Sequence, residues 1–485
     1  MAISVTCAKC NTTLRVKDEY AGKRGKCPTC QGALEIPGTA AVSTGPAPPA
    51  PSAKLPSTKP APPVKPPNAA RDKTAAAGQG QPAIGNAAEK VMAGFHAELP
   101  AARMSWLFRL RLLLTAIFML IFPLLYLGLI GLLGGGAIWY LLRMRGLLEG
   151  ATDAAALAAY YVPPVLGLML APLLLKPLLA SRYKKEVVLP LKPEAAPVFF
   201  QLLEKICAVI KAPLPREVEI NFSAAMARQG HRLRIGVSLL SALTVQQIAG
   251  LAAHEFAYVT RGGGTGLAAF IRGINHFFSF AVAGQDNWDL AITAATTGKS
   301  YGGKLLYPLR GAFLLVKFML WPINYLSHMV SGWLLQTTEI NSDLCQARLV
   351  GSEEFVRTLN LIKVVDFAWQ QVIADLAFQR DQSQLPDNLP RQLIGNLADI
   401  PDEYRAILAE QIVKTETGDF ANQPADKDRI AAARQAQLAG AYACNLPAAA
   451  LLANFDEFAR EITFKFYRFK FGPLVDRKSL IPVVH

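Results

Sequence analysis

Charge is what this chain has least of. Only 18% of its 485 residues are Asp, Glu, Lys or Arg, while 52% are hydrophobic and the mean hydropathy is +0.25. That balance is wrong for an ordinary water-soluble protein and points to a membrane protein with soluble parts. Two stretches, Leu112 to Leu142 and Ala154 to Leu175, contain no charged residue at all. Each exceeds the ~20 residues needed to cross a bilayer. No N-terminal secretory leader is expected, because the first residues lead straight into a cysteine cluster. Histidine is rare, with six in the chain, so any histidine-based metal chemistry has few candidates.

The charge that is present is unbalanced. The formal net charge is +14, and residues 1–104 carry 13 Lys/Arg against 6 Asp/Glu. This basic N-terminal arm either touches anionic lipid or nucleic acid or simply solubilises the segment.

Residues 1–37 hold two knuckles, Cys7-x-x-Cys10 and Cys27-x-x-Cys30. Two such pairs at this spacing supply four thiolates for one tetrahedral zinc, so Cys7, Cys10, Cys27 and Cys30 are expected to hold a structural Zn2+. A unit this small cannot bury enough core to fold alone, and metal binding would supply the missing stability. The segment resembles a zinc ribbon, a fold that binds nucleic acid or protein; Tyr20 is its one aromatic, which is thin support for base stacking. Cys207, Cys345 and Cys444 are expected as buried thiols. Residues 38–104 form a Pro/Ala-rich linker, with Pro-rich runs such as Pro62-Pro63-Val64-Lys65-Pro66-Pro67.

The two uncharged runs make residues 105–182 a transmembrane hairpin. Pro123 and Gly134-Gly135-Gly136 in the first, and Pro163, Pro164 and Pro172 in the second, are candidate kinks or ends. Arg103, Arg109 and Arg111 precede the first span, and Lys176, Arg182, Lys184 and Lys185 follow the second. This bias favours both ends in the cytosol, hence a cytoplasmic (inner) membrane with both soluble parts on that side. Thiolate zinc binding also prefers a reducing compartment. A further apolar segment at 305–336 either crosses the bilayer or lies on it as a core helix.

Within residues 183–485, Glu217 to Phe222 and Leu233 to Val237 alternate like strands. A helix follows. Thr244 and Gln247 fit a capping box, and the apolar Leu243, Ile248, Leu251 and Ala252 lead into His254-Glu255-Phe256-Ala257-Tyr258. This is the zinc-protease pattern His-Glu-x-x-His with tyrosine in place of the second histidine. Positions i and i+4 share a helix face, so two histidines there grip one ion while the glutamate works on its bound water. The bland alternative is a half-buried histidine beside a surface glutamate.

The order of a two-span hairpin, strands, a His-Glu helix, an apolar segment and then Glu339-Ile340-Asn341-Ser342-Asp343 resembles the membrane zinc metallopeptidases of the HtpX and CAAX prenyl protease type, over roughly residues 105–440. The resemblance implies a mainly α (α+β) zincin-like domain with a small sheet. It implies His254 and Glu339 as zinc ligands, Glu255 as general base and Asp343 as the residue orienting a ligand. Without it, Glu339 and Asp343 read as a solvated helix face. Asn422-Gln423-Pro424 through Arg429-Ile430 is similar to a late Thr-His-Pro…Arg-Ile element of the family.

The departures fall where the chemistry should be. Tyr258 replaces the second histidine, Ala224 stands where the family has asparagine, and Gln423 stands where it has histidine. A phenol ligates well only when ionised, and with an unperturbed pKa of about 10 that costs on the order of 4 kcal/mol near pH 7. Zinc at this site is therefore expected to be weak or absent. The leading expectation is a catalytically degenerate scaffold or peptide-binding module in the lipid bilayer. Next come a working metalloendopeptidase with an unusual ligand set, acting on extended peptides or membrane proteins, and a membrane-tethered ribbon adaptor for protein or nucleic acid.

Overall fold

The computed structural model describes strand segments at 2–6, 13–17, 24–26 and 33–35, then residues 84–97, 105–148, 153–179, 187–260, 265–297, 306–418 and 421–483. The chain divides into two compact units, Met1–Ala77 and Gly78–His485.

In the first unit, β1 (Ala2–Thr6) pairs antiparallel with β2 (Thr13–Lys17), and β3 (Arg24–Lys26) with β4 (Ala33–Glu35). The connections 7–12 and 27–32, and with them Cys7, Cys10, Cys27 and Cys30, lie outside the described residues.

The second unit is mainly helical with a small mixed sheet. Among the described residues, four helical segments are long and apolar enough to cross a membrane: Trp106–Arg143, Ala154–Leu179, Gly266–Thr296 and Tyr307–Val350. The first comprises α2 (Trp106–Met119) and α3 (Ile121–Arg143), which follow a short α1 (Ile84–Ala93). The junction at Leu120 lies three residues before Pro123, whose ring and missing amide suit only the first turn of the new helix. The Gly134-Gly135-Gly136 run does not end α3. Likewise α4 (Ala154–Leu179) runs through four prolines. Gly167 explains the close hairpin: a Cβ there would stand 2.7 Å from the Leu133 carbonyl oxygen of α3. Leu113, Leu114, Ile117, Leu124, Leu125 and Leu132 are exposed, as lipid-facing side chains are.

Next come β5 (Val188–Pro190), α5 (Pro197–Ile210), β6 (Glu217–Asn221), β7 (Met226–Gln229) and β8 (Arg232–Gly236). The sheet order is β5-β6-β8-β7; β6 and β8 run parallel and the other pairs antiparallel, leaving β7 at an edge. Val198, Phe199, Leu202, Leu203 and Ile206 recur at helical spacing along α5, and all are buried. They pack in one core with Val218, Ile220, Leu233 and Ile235 of the sheet and with Ile248, Ala252 and Phe256 of α7 (Val245–Ala257), which follows the short α6 (Val237–Ala242). Burial of each large aliphatic or aromatic side chain is worth roughly 1.5–3 kcal/mol.

The third apolar segment comprises α8 (Thr265–Ala283) and α9 (Asn287–Thr297). The fourth is α10 (Tyr307–Val350), 44 residues long, so apolar residues 307–336 and Glu339 share one helix. A second core joins α2, α3, α4, α8 and α10 through Leu112, Met119, Tyr126, Leu174, Ile271, Phe278 and Leu320. Four charges beside this core pair with one another: Lys176 of α4 stands 3.1 Å from Asp286 and 2.7 Å from Asp289, which Lys317 of α10 approaches at 3.4 Å. After α10 the chain turns at Gly351 into α11 (Ser352–Asp381), α12 (Leu389–Asp399), α13 (Asp402–Lys414), α14 (Asp426–Ala436) and α15 (Phe455–Phe471).

Candidate functional site: an ionic hub between four helices

Local sequence places the first residues of the site. The Thr244 hydroxyl accepts from the Gln247 amide, and the Gln247 side chain accepts from the Thr244 amide, completing a capping box that starts α7. Gly250 faces α10 so closely that a Cβ would lie 3.1 Å from Val350 and 3.2 Å from Gln346. His254 and Tyr258 follow at four-residue steps on that face, one and two turns further on. They therefore meet Glu339 and Asp343 of α10.

His254 lies between two carboxylates. Its Nε2 is 3.4 Å from Glu339 Oε1 and its Nδ1 3.1 Å from Asp343 Oδ1, the latter a close ionic approach rather than an aligned hydrogen bond. The Tyr258 hydroxyl donates to Glu339 Oε2 and sits 3.4 Å from His254 Nε2. Arg272 of α8 donates from Nη2 to the same Glu339 Oε2 at 3.0 Å, and its guanidinium lies 4.2 Å from the centre of the Tyr258 ring. Arg429 of α14 grips Asp343 with two hydrogen bonds of 2.6 and 2.8 Å and reaches Asp426 at 3.3 Å. Asp426 in turn pairs with Lys363 of α11 at 2.8 Å.

Glu339 is 3% exposed and Asp343 wholly buried, which rules out a solvated helix face. Burial would lower the pKa of His254, but the Asp343 and Glu339 carboxylates outweigh it and raise it to about 10. The imidazole is accordingly held as a cation. Burial, reinforced by the Glu339 charge, pushes the Tyr258 phenol up, away from ionisation. Glu255 points elsewhere. Its Oε2 accepts the backbone amide of Arg228 on the edge strand β7 at 2.8 Å, and burial raises its pKa despite that bond and the nearby His254 cation.

His254, Tyr258, Glu339 and Asp343 thus come together, with Glu255 on the next face of the same helix. Ala224 packs against the sheet core, while Gln423 is exposed. The neighbouring Asn422 accepts a 2.9 Å bond from Asn275 of α8, a side chain that also donates to Ser331 of α10. Of the remaining histidines, His96, His231 and His276 are exposed, His328 contacts Ser279 at 2.7 Å, and His485 lies outside the described residues. Among the described residues, no three His, Cys, Asp or Glu side chains gather into a metal-holding group.

Sequence reasoning missed Arg272 and the role of Arg429. A signal for Arg272 existed: it is a lone charge in the apolar run from Leu267 to Val282, and such a charge needs a partner. No family model matches this chain, and no curated protein or solved structure matches it either.

Proposed function

We propose that this chain is a catalytically silent relative of the membrane zinc metallopeptidases it resembles, acting as a membrane-embedded scaffold. The observation that carries the reading is the occupancy of Glu339: one of its two carboxylate oxygens, Oε2, already accepts from the Tyr258 hydroxyl and the Arg272 guanidinium. The donor set does not fit a hydrolytic zinc. A guanidinium 3.0 Å from the Glu339 carboxylate repels a dication, and burial with the Glu339 charge disfavours the phenolate, which leaves one imidazole and one carboxylate where a hydrolytic zinc takes three protein ligands.

The same groups make a good structural hub. One carboxylate pair on α10 collects His254 and Tyr258 from α7, Arg272 from α8 and Arg429 from α14. Membrane-facing and soluble elements are thereby joined through α10, a helix that belongs to both. Peptide capture along β7, the other role the resemblance suggests, competes with Glu255 for the Arg228 amide. In the same reading, the N-terminal cysteine knuckles hold one structural zinc, and the positive residues flanking the hairpin put both soluble parts on the cytosolic side.

The test is a proteolysis assay on the purified full-length chain in detergent, with an unfolded protein as substrate. The expected result is no cleavage that a chelator removes and zinc restores. Chelator-sensitive cleavage abolished by Glu255→Gln would make the chain a working metalloendopeptidase instead.

A further inference from the structure

The soluble part carries a surface for which the ionic hub gives no reason. It is built from the C-terminal ends of α11 and α15 and the turn that follows. Leu474 is 97% exposed, Phe378 66% and Phe469 54%, all unusually open for side chains of this size. Cations surround them. The Arg380 guanidinium lies 4.8 Å from the centre of the Phe471 ring and Lys470 Nζ 5.7 Å from it, while Arg477 and Arg468 lie 4.6 and 5.9 Å from Phe464. Lys478 is exposed beside them. The acidic residues here are Asp375, Asp381, Asp476 and Glu461, against the six cations Arg380, Lys465, Arg468, Lys470, Arg477 and Lys478; Glu461 pairs with Arg477 and Lys465, and Asp476 caps the amide of Lys478. Positive charge therefore prevails around an apolar tip.

The course of α11 sets the direction of this tip. The helix doubles back from Gly351 at the end of α10, and Lys363 is tied through Asp426 and Arg429 to Asp343. It therefore runs back toward the apolar half of α10, and Phe378 lies roughly 22 Å further along than Lys363. Tyr467 of α15 bonds to the Pro386 carbonyl and Phe471 meets Arg380, so α15 ends at the same tip.

From this placement we infer that Phe378, Phe469 and Leu474, ringed by Arg380, Arg468, Lys470 and Lys478, form a foot that rests on the anionic phospholipid surface of the bilayer holding α2, α3, α4, α8 and α10. Aromatic and leucine side chains enter the headgroup boundary while basic side chains stay among the lipid phosphates. Anionic lipid attracts such a basic segment within a Debye length. The foot would restrain the soluble part at a second point, remote from the membrane-crossing helices.

The experiment uses the full chain in lipid nanodiscs, with Leu474→Cys labelled by an environment-sensitive dye. Wild-type chain labelled in parallel reads the signal from the native cysteines. Brominated acyl chains then report contact by quenching. The expected result is several-fold stronger quenching in discs containing phosphatidylglycerol than in pure phosphatidylcholine, lost in Lys470→Glu/Lys478→Glu with an unchanged thermal melt. The unlabelled chain offers a second reading: backbone exchange over 469–480 should slow in the anionic discs. No quenching in either disc, or equal quenching in both, overturns the inference. So does shielding that appears only when soluble proteins are added, which would assign the surface to a protein partner.

Discussion

Arg272 and Tyr258 share one oxygen: both donate to Glu339 Oε2, with the guanidinium stacked on the phenol ring. A single reversion at Tyr258 therefore leaves a positive charge beside the carboxylate. Tyr258→His alone is expected to bind no more zinc than wild type, whereas Tyr258→His/Arg272→Ala is expected to gain about one ion per chain, completing two imidazoles and a carboxylate. Elemental analysis of the purified full-length proteins, each measured relative to wild type, decides it. An added ion in Tyr258→His alone would show that Arg272 is no obstacle.

Asp343 depends on Arg429 in the same way. The carboxylate is fully buried and receives both of its strong bonds from that one guanidinium. Arg429→Met leaves a buried charge without its main partner, which typically costs about 3–5 kcal/mol. Arg429→Lys keeps the charge and loses the forked geometry, so it should fall between the two. Thermal unfolding in detergent should rank wild type above Arg429→Lys above Arg429→Met. Equal melting temperatures would mean that the fork contributes nothing to stability.

Protonation of His254 gives the hub a pH dependence with a definite sign. Its pKa is raised from 6.5 to about 10 because Asp343 and Glu339 outweigh burial. A raised pKa means that the folded state holds the proton more tightly than the unfolded chain does. The resulting stabilisation is fully present below about pH 6.5, declines above it, and is lost as pH rises through about 10. The melting-temperature difference between wild type and His254→Gln should therefore shrink from neutral pH toward pH 10. A difference that grows over that range would show that the imidazole is neutral in the fold.

Local patterns were readable from the residues alone; distant pairings were not. The Thr244–Gln247 capping box and the strands at Glu217 and Leu233 depend on neighbours a few residues away, and each stands within a residue or two of where the sequence puts it. The meeting of α7 with α10 at Glu339 and Asp343 was suggested only by resemblance, since nothing in the spacing of two helices fixes which faces touch. The partner of Arg272 was hidden for the same reason, being a contact between residues 67 positions apart. The segment Gly266–Thr296 does not stand out as a span in the sequence, because Arg272, Asp286 and Asp289 interrupt its apolar run. Each of those charges finds an opposite charge in the folded chain, and such compensation cannot be seen one residue at a time.

Lys176, Asp286, Asp289 and Lys317 provide the sharpest test of that compensation. Lys176 and Asp286 are both buried, and Lys176 Nζ also lies 4.0 Å from the centre of the Phe313 ring. Lys317 additionally donates to the Gly284 carbonyl at 2.9 Å. Lys176→Met removes one cation from two carboxylates that α4 and α10 otherwise neutralise together, and the cost should approach the ~3–5 kcal/mol typical of breaking a buried pair. Removing the carboxylates as well, in Lys176→Met/Asp286→Asn/Asp289→Asn, deletes the uncompensated charge and should recover much of that loss. The triple variant is thus expected to be more stable than the single one, a non-additivity that only coupled charges produce. Unfolding in mixed detergent micelles measures both. If the three changes simply add, with the triple variant the least stable, these side chains are independently solvated and do not form one buried cluster.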